Sequence, residues 1–68
     1  MSVSYKKLWK LLIDLGLSKS KFRDIACISP STLYKLNKSE YVSLEIIERI
    51  CIALDCTPND IFEVITDE

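Results

Sequence analysis

The stretch FRDIACISPSTLYKLNK, Phe22 to Lys38, constrains the fold more than any other part of the chain. It reads as the end of one helix, a tight turn, and a second short helix with a strongly marked start. Ser29 stands where a hydroxyl accepts from an amide of the first turn. Pro30 follows at the first helical position, where its missing N–H costs nothing and its fixed φ suits the helix. Beyond it, Leu33 and Leu36 point to one side. At about 100° per residue, Ser31, Tyr34, Lys35 and Lys38 fall on the other side, at i, i+3, i+4 and i+7. Two leucines therefore anchor a helix whose outward stripe is Ser/Tyr/Lys/Lys. Alone, such a stripe is the ordinary solvated face of an amphipathic helix. Its context gives it a second meaning.

Phe22, Ile25 and Ala26 before the turn, and Ile28 just after it, have the apolar spacing of a helix-turn-helix. The segment resembles the Cro/repressor-type (XRE-like) helix-turn-helix family, whose usual run is L-A-x-x-A-G-V-S-x-x-T-[IL]-x-x-[IL]. Phe22, Ala26, Cys27, Ile28, Ser29, Thr32, Leu33 and Leu36 stand at the matching places. SLEIIERICIALDCTPNDIF is similar to the fourth and fifth helices of that family, S-L-x-[TV]-L-x-x-I-A-x-A-L-x-V-x-x-x-[DE]-L. The resemblance covers Tyr5 to Ile65 without a gap. It implies an all-α, compact five-helix domain spanning residues 1–68, with the helix-turn-helix at about 18–38. The function implied is sequence-specific binding of double-stranded DNA by a small transcriptional regulator, with the second helix of the motif in the major groove.

The resemblance also divides the residues by role. Ser31, Tyr34 and Lys35 would reach base edges, Lys35 being the best hydrogen-bonding reader and guanine its target. Pro30 stands where the family often carries glutamine and offers only apolar contact, for example to a thymine methyl. Lys19, Lys21 and Lys38 would meet phosphates, and Thr32 would either pack or face phosphate. The family usually has a glutamine at the Lys19 position and a glycine at that of Cys27. A left-handed cysteine there costs about 1 kcal/mol.

Composition agrees in an indirect way. The net charge is −1, which by itself argues against a nucleic-acid partner, but its distribution is uneven. Residues 1–38 hold eight Lys/Arg against Asp14 and Asp24, a net of +6; residues 39–68 hold Arg49 against eight acids, a net of −7. Two halves of opposite sign suggest two faces with different partners. Mutual attraction of the halves, or plain solubility, is the competing explanation. With no histidine and cysteines only at 27, 51 and 56, the common zinc arrangements are excluded, and the thiols read as free. No metal, cofactor or small-molecule ligand is expected. No apolar run is long enough to span a membrane, and the N-terminus has no signal-peptide pattern, so the expected location is cytoplasmic.

Taken in order, helix 1 is expected from about Tyr5 to Leu15 behind a Ser4 cap, with Tyr5, Leu8, Trp9, Leu12 and Leu15 as its apolar stripe. Gly16 would end it in a left-handed conformation. Helix 2 is expected over Lys19 to Cys27 behind Ser18; its first-turn lysines oppose the macrodipole but suit an anion held at the helix start. Helix 4 is expected over Leu44 to Leu54 behind Ser43, with Leu44, Ile47, Ile50, Cys51 and Leu54 inward and Asp55 as its left-handed end. Thr57-Pro58-Asn59-Asp60 reads as the start of helix 5. No sheet is expected, since no run alternates, and residues 66–68 are expected to be loose. The expected core is Trp9, Leu12, Phe22, Ile25, Leu33, Leu36, Ile47, Ile50, Leu54 and Ile61. Helix 5 would carry more apolar surface than a terminal helix needs, making Phe62 and Ile65, with Ile52, the candidate homodimer interface.

Two function classes remain in view. DNA binding is favoured by the motif, the basic half and the Tyr/Lys stripe. The alternative is a protein–protein interaction module using the acidic face of helices 4 and 5. An enzyme is not expected: without histidine the Ser–His and Cys–His constellations cannot form, and no carboxylate pair or phosphate-binding glycine loop is present.

Overall fold

A computed structural model of the chain describes residues 2–66. The elements in order are β1 (Ser2–Ser4), α1 (Lys6–Leu15), α2 (Lys19–Ala26), α3 (Pro30–Asn37), α4 (Leu44–Leu54), a single 3-10 turn (Pro58–Asp60) and β2 (Glu63–Ile65). Serine hydroxyls begin three of the helices. Ser18, Ser29 and Ser43 accept from the backbone N–H of Lys21 (3.1 Å), Thr32 (3.2 Å) and Ile46 (3.3 Å), each satisfying an amide that has no partner within its helix. Left-handed residues end three: Gly16, Cys27 and Asp55, at φ 71°, 57° and 52°. The expected bounds of α1 to α4 therefore hold to within a residue, with Tyr5 rather than Ser4 at the cap of α1.

The core draws one large side chain from each helix and one from the edge of the 3-10 turn. Leu8, Phe22, Leu36, Ile50 and Ile61 are all fully buried, each burial being worth about 1.5–3 kcal/mol before entropy is counted. Leu12, Ile47 and Leu54 join them as expected, together with Val3, Tyr5, Ala26 and Ile28. Trp9 and Leu33 are half-buried at the margin. Ile25 is 40% exposed and Leu44 77% exposed, against expectation. The cause is local: the eight-residue α2 turns Phe22 and Ala26 inward, leaving Ile25 on the flank, and Leu44 sits in the first turn of α4, one turn before Ile47. Leu15, at the end of α1, is likewise outside.

The five-helix, sheet-free expectation fails at the two ends of the chain. β1 and β2 pair antiparallel, Val3 opposite Val64, and the segment expected as helix 5 makes one 3-10 turn before becoming β2. The strands are three residues each, too short to announce themselves by alternation. Phe62 turns onto the Tyr5 ring, at 6.5 Å between centroids. Tyr5 in turn donates its hydroxyl to the Glu40 carbonyl at 2.7 Å. The small sheet and Tyr5 thus brace the loop that leaves α3. Of the tail expected to be loose, Asp67 and Glu68 lie outside the described residues. Among the described residues no helix is long and apolar enough to cross a membrane.

Candidate nucleic-acid interface

Leu36, fully buried, and Leu33, half-buried, hold α3 against the core. The opposite side presents Pro30, Ser31, Tyr34, Lys35 and Lys38, all exposed. Pre-organisation is greatest at the start of the helix. Besides capping Thr32, the Ser29 hydroxyl lies 3.0 Å from the hydroxyls of both Ser31 and Thr32. Thr32 is half-buried and tied into this cluster, off the exposed stripe. Further along, the Lys38 ammonium lies 5.6 Å from the centroid of the Tyr34 ring, within the range of cation–π attraction. Tyr34 is 57% exposed, so its ring offers a flat apolar surface with a hydroxyl at its rim.

The turn before α3 is fixed from α4. Arg49 donates to the Cys27 carbonyl at 3.3 Å and to the Glu45 carboxylate at 3.2 Å. Cys27 is left-handed, φ 57° and ψ 44°, so the strain expected of a residue without glycine's freedom is present and the arginine holds the peptide that bears it. The single base of the acidic half thus serves the helix-turn-helix. Its spacing of four from Glu45 is legible in sequence, but its reach to Cys27 is not.

At the start of α2, Lys21 is exposed, and Ser18 takes the Lys21 amide. Lys19 is engaged: its ammonium donates to Asn37 Oδ1 at 2.7 Å and lies 4.4 Å from the centroid of the Trp9 ring. The first residue of α2 and the last of α3 therefore meet. Asn37 carried no signal in the sequence, because residues eighteen apart in two short helices have no periodic relation.

This geometry is that of a helix-turn-helix with a capped, basic, outward second helix. A family model described as the Cro/C1-type helix-turn-helix DNA-binding domain matches residues 7–67. The chain belongs to the Cro/C1-type helix-turn-helix family. Among solved structures, the Cro/C1-type chain is similar to the crystal structure of transcriptional regulator VanUg (Form II), with 45% sequence identity and a TM-score of 0.93 over 97% of this chain and 88% of that one. No curated protein matches it. As a Cro/C1-type domain it departs from a purely helical form by its β1–β2 pair.

The candidate interface residues at the C-terminal end are divided between two places. Ile52, 76% exposed on α4, lines an open groove of about 400 Å3 with Ile25, Ala26, Cys27, Arg49 and Ala53. Phe62 is half-buried and, with Val64, borders a smaller apolar cleft over Tyr5 and Ile47. Ile65 is exposed at the end of β2.

Proposed function

We propose that the protein is a sequence-specific regulator of transcription that binds double-stranded DNA, with α3 in the major groove. The observation that carries this reading is the exposed Ser31/Tyr34/Lys35/Lys38 stripe on a serine-capped second helix of a Cro/C1-type domain. The likeness to a transcriptional regulator supports it. Pro30, Ser31, Tyr34 and Lys35 face the bases, Pro30 by apolar contact alone. Lys21 and Lys38 meet phosphates at the edges of the groove, with Lys19 and Thr32 beside them. The role is non-catalytic, and the protein works in the cytoplasm.

Lys35→Ala tests the division of roles. On the preferred site, selected from a random duplex pool, the substitution costs about 1–3 kcal/mol and flattens discrimination at one position. Lys38→Ala instead weakens all sequences alike and reduces the salt slope by about one unit. Identical behaviour of the two variants would sink the assignment. A wild type without salt-dependent affinity for duplex DNA would transfer the function to the acidic face.

The reading extends to a homodimer, because two recognition helices about 34 Å apart meet successive major grooves. The exposed Ile65 and Val64 of β2, next to Phe62, form one candidate seam and Ile52 the other. Ile52→Lys and Val64→Lys, each examined by sedimentation at high protein concentration, separate them: the variant at the true seam sediments as a monomer. A wild type that is monomeric at high concentration and protects a single half-site on DNA rules the dimer out.

A further inference from the structure

Lys19 has the most constrained ammonium of the basic rim. A chain of contacts runs to it from the core: Phe22 is fully buried, Trp9 stands edge-on to Phe22 at 6.5 Å and 90°, and Lys19 lies over the Trp9 ring. The chain continues outward through the 2.7 Å bond to Asn37 Oδ1. α1, the first residue of α2 and the last residue of α3 are thereby joined through side chains alone.

An ammonium has donors and no acceptor. It therefore settles which end of the Asn37 amide faces it, a choice that an isolated asparagine leaves open. Oδ1 turns in to Lys19, and the two N–H donors of Nδ2 turn the other way on an exposed residue. Asn37 is the last residue of α3, the helix proposed to lie in the groove, and Lys38 follows it in the chain. Both partners of Lys19 are neutral, so they orient the ammonium without cancelling its charge.

We infer that Asn37 is a phosphate-contacting residue of the interface, and that Lys19 is a positioning residue that aims it. The inference rests on the DNA-binding reading and names a donor which that reading does not contain. Asn37 Nδ2 donates to a backbone phosphate oxygen. Lys19, supported by Trp9, fixes its direction. The contact carries no sequence information.

Four variants test it: Lys19→Met, Lys19→Gln, Asn37→Ala, and Lys21→Ala as the reference for a true counter-charge. Each is titrated over a range of salt with a duplex selected from a random pool and with an unrelated duplex. Asn37→Ala weakens both duplexes by about tenfold with little change in salt slope. Lys19→Met weakens them at least as much and also lowers the slope, and adding Asn37→Ala to Lys19→Met weakens them no further. Lys19→Gln keeps an N–H donor without the charge, so it recovers the share of the affinity that Asn37 carries while its salt slope stays that of Lys19→Met. Lys21→Ala lowers the slope by about one unit and multiplies with Asn37→Ala. The positioning role is overturned if Lys19→Gln is as weak as Lys19→Met, or if the Lys19→Met and Asn37→Ala effects multiply. It is also overturned, without any DNA, if the Lys19 ε-methylene protons of the free protein show no upfield ring-current shift from Trp9. A wild type that binds neither duplex defeats the DNA-binding reading and this inference with it, a result distinct from the others.

Discussion

Two segments of this chain open in nearly the same way and end differently. Ser29-Pro30 and Thr57-Pro58 each place a hydroxyl residue before a proline, and both starts are built in the structure. Ser29 accepts from the Thr32 amide, and the Asp60 carboxylate accepts from both the N–H and the hydroxyl of Thr57, at 3.1 Å each. After Pro30 the helix continues to Asn37; after Pro58 it stops at Asp60. The difference lies in the residues beyond each proline. Leu33 and Leu36 recur at helical spacing and keep one face of α3 on the core. Ile61 is drawn fully into the core, Phe62 onto Tyr5, and Val64 into register with Val3. Val64 and Ile65 are β-branched and lose little by becoming a strand. A capping signal states where a helix begins. Tertiary partners decide whether it continues.

The largest expected effects ask whether the two segments are equal members of one core. Leu36 and Ile61 are both fully buried, so Leu36→Ala and Ile61→Ala should each cost about 2–5 kcal/mol. A domain of this size has about 3–10 kcal/mol in total, and either change removes a large share. Urea unfolding followed by Trp9 fluorescence measures both. If Ile61→Ala costs less than about 1 kcal/mol while Leu36→Ala costs at least twice that, the C-terminal segment is an appendage rather than a part of the core.

Legibility in the sequence divides along the same line. The four helices, the serine caps of α2, α3 and α4, the left-handed ends at Gly16, Cys27 and Asp55, and the outward stripe of α3 all come from signals contained within a few residues. The sheet does not, because Val3 and Val64 acquire meaning only when opposite ends of the chain meet. Nor do the props of the interface. Arg49 reaches Cys27 and Lys19 reaches Asn37 across elements, so a residue's chemistry was readable where its partner was not. Lys19 illustrates the limit: its charge was evident, and the ring and amide that engage it were not.

A second, smaller effect distinguishes the segments by pH. Burial, with Cys51 and the acids Asp60 and Asp55 nearby, pushes the Cys56 thiol up from 9.0 to about 11. Burial also raises the Tyr5 phenol above its ordinary 10.0. Each group keeps its proton longer in the folded chain than in the unfolded one, so stability falls as pH rises. The loss begins above pH 9 with Cys56, deepens from 10 with Tyr5, and the Cys56 part is complete near 11. Both groups serve the C-terminal packing rather than the α2–α3 turn. Urea midpoints taken from about pH 8 to 11 should decline in this order, and Cys56→Ala should delay the onset to about pH 10. Stability that is flat to about pH 11 would mean that the thiol and phenol are open to water, and the packing of Phe62 on Tyr5 correspondingly loose.

The smallest effect concerns the two left-handed turns that flank α2. Gly16, at φ 71°, has nothing within 4 Å of where a Cβ would stand, so Gly16→Ala meets no neighbour and pays only the backbone cost of about 1 kcal/mol. Cys27 already bears that cost at φ 57°, with its side chain exposed and little packing to lose. Cys27→Gly should therefore stabilise, by somewhat less than about 1 kcal/mol, since glycine also loosens the unfolded chain. The Arg49 bond is to the backbone carbonyl and survives the change. Thermal unfolding of the two variants should shift in opposite directions. If Cys27→Gly destabilises instead, the thiol does more at the turn than its exposure indicates: its weak contacts to the carbonyls of Asp24 and Ile25, at 3.8 and 4.0 Å, would then outweigh the relief of strain.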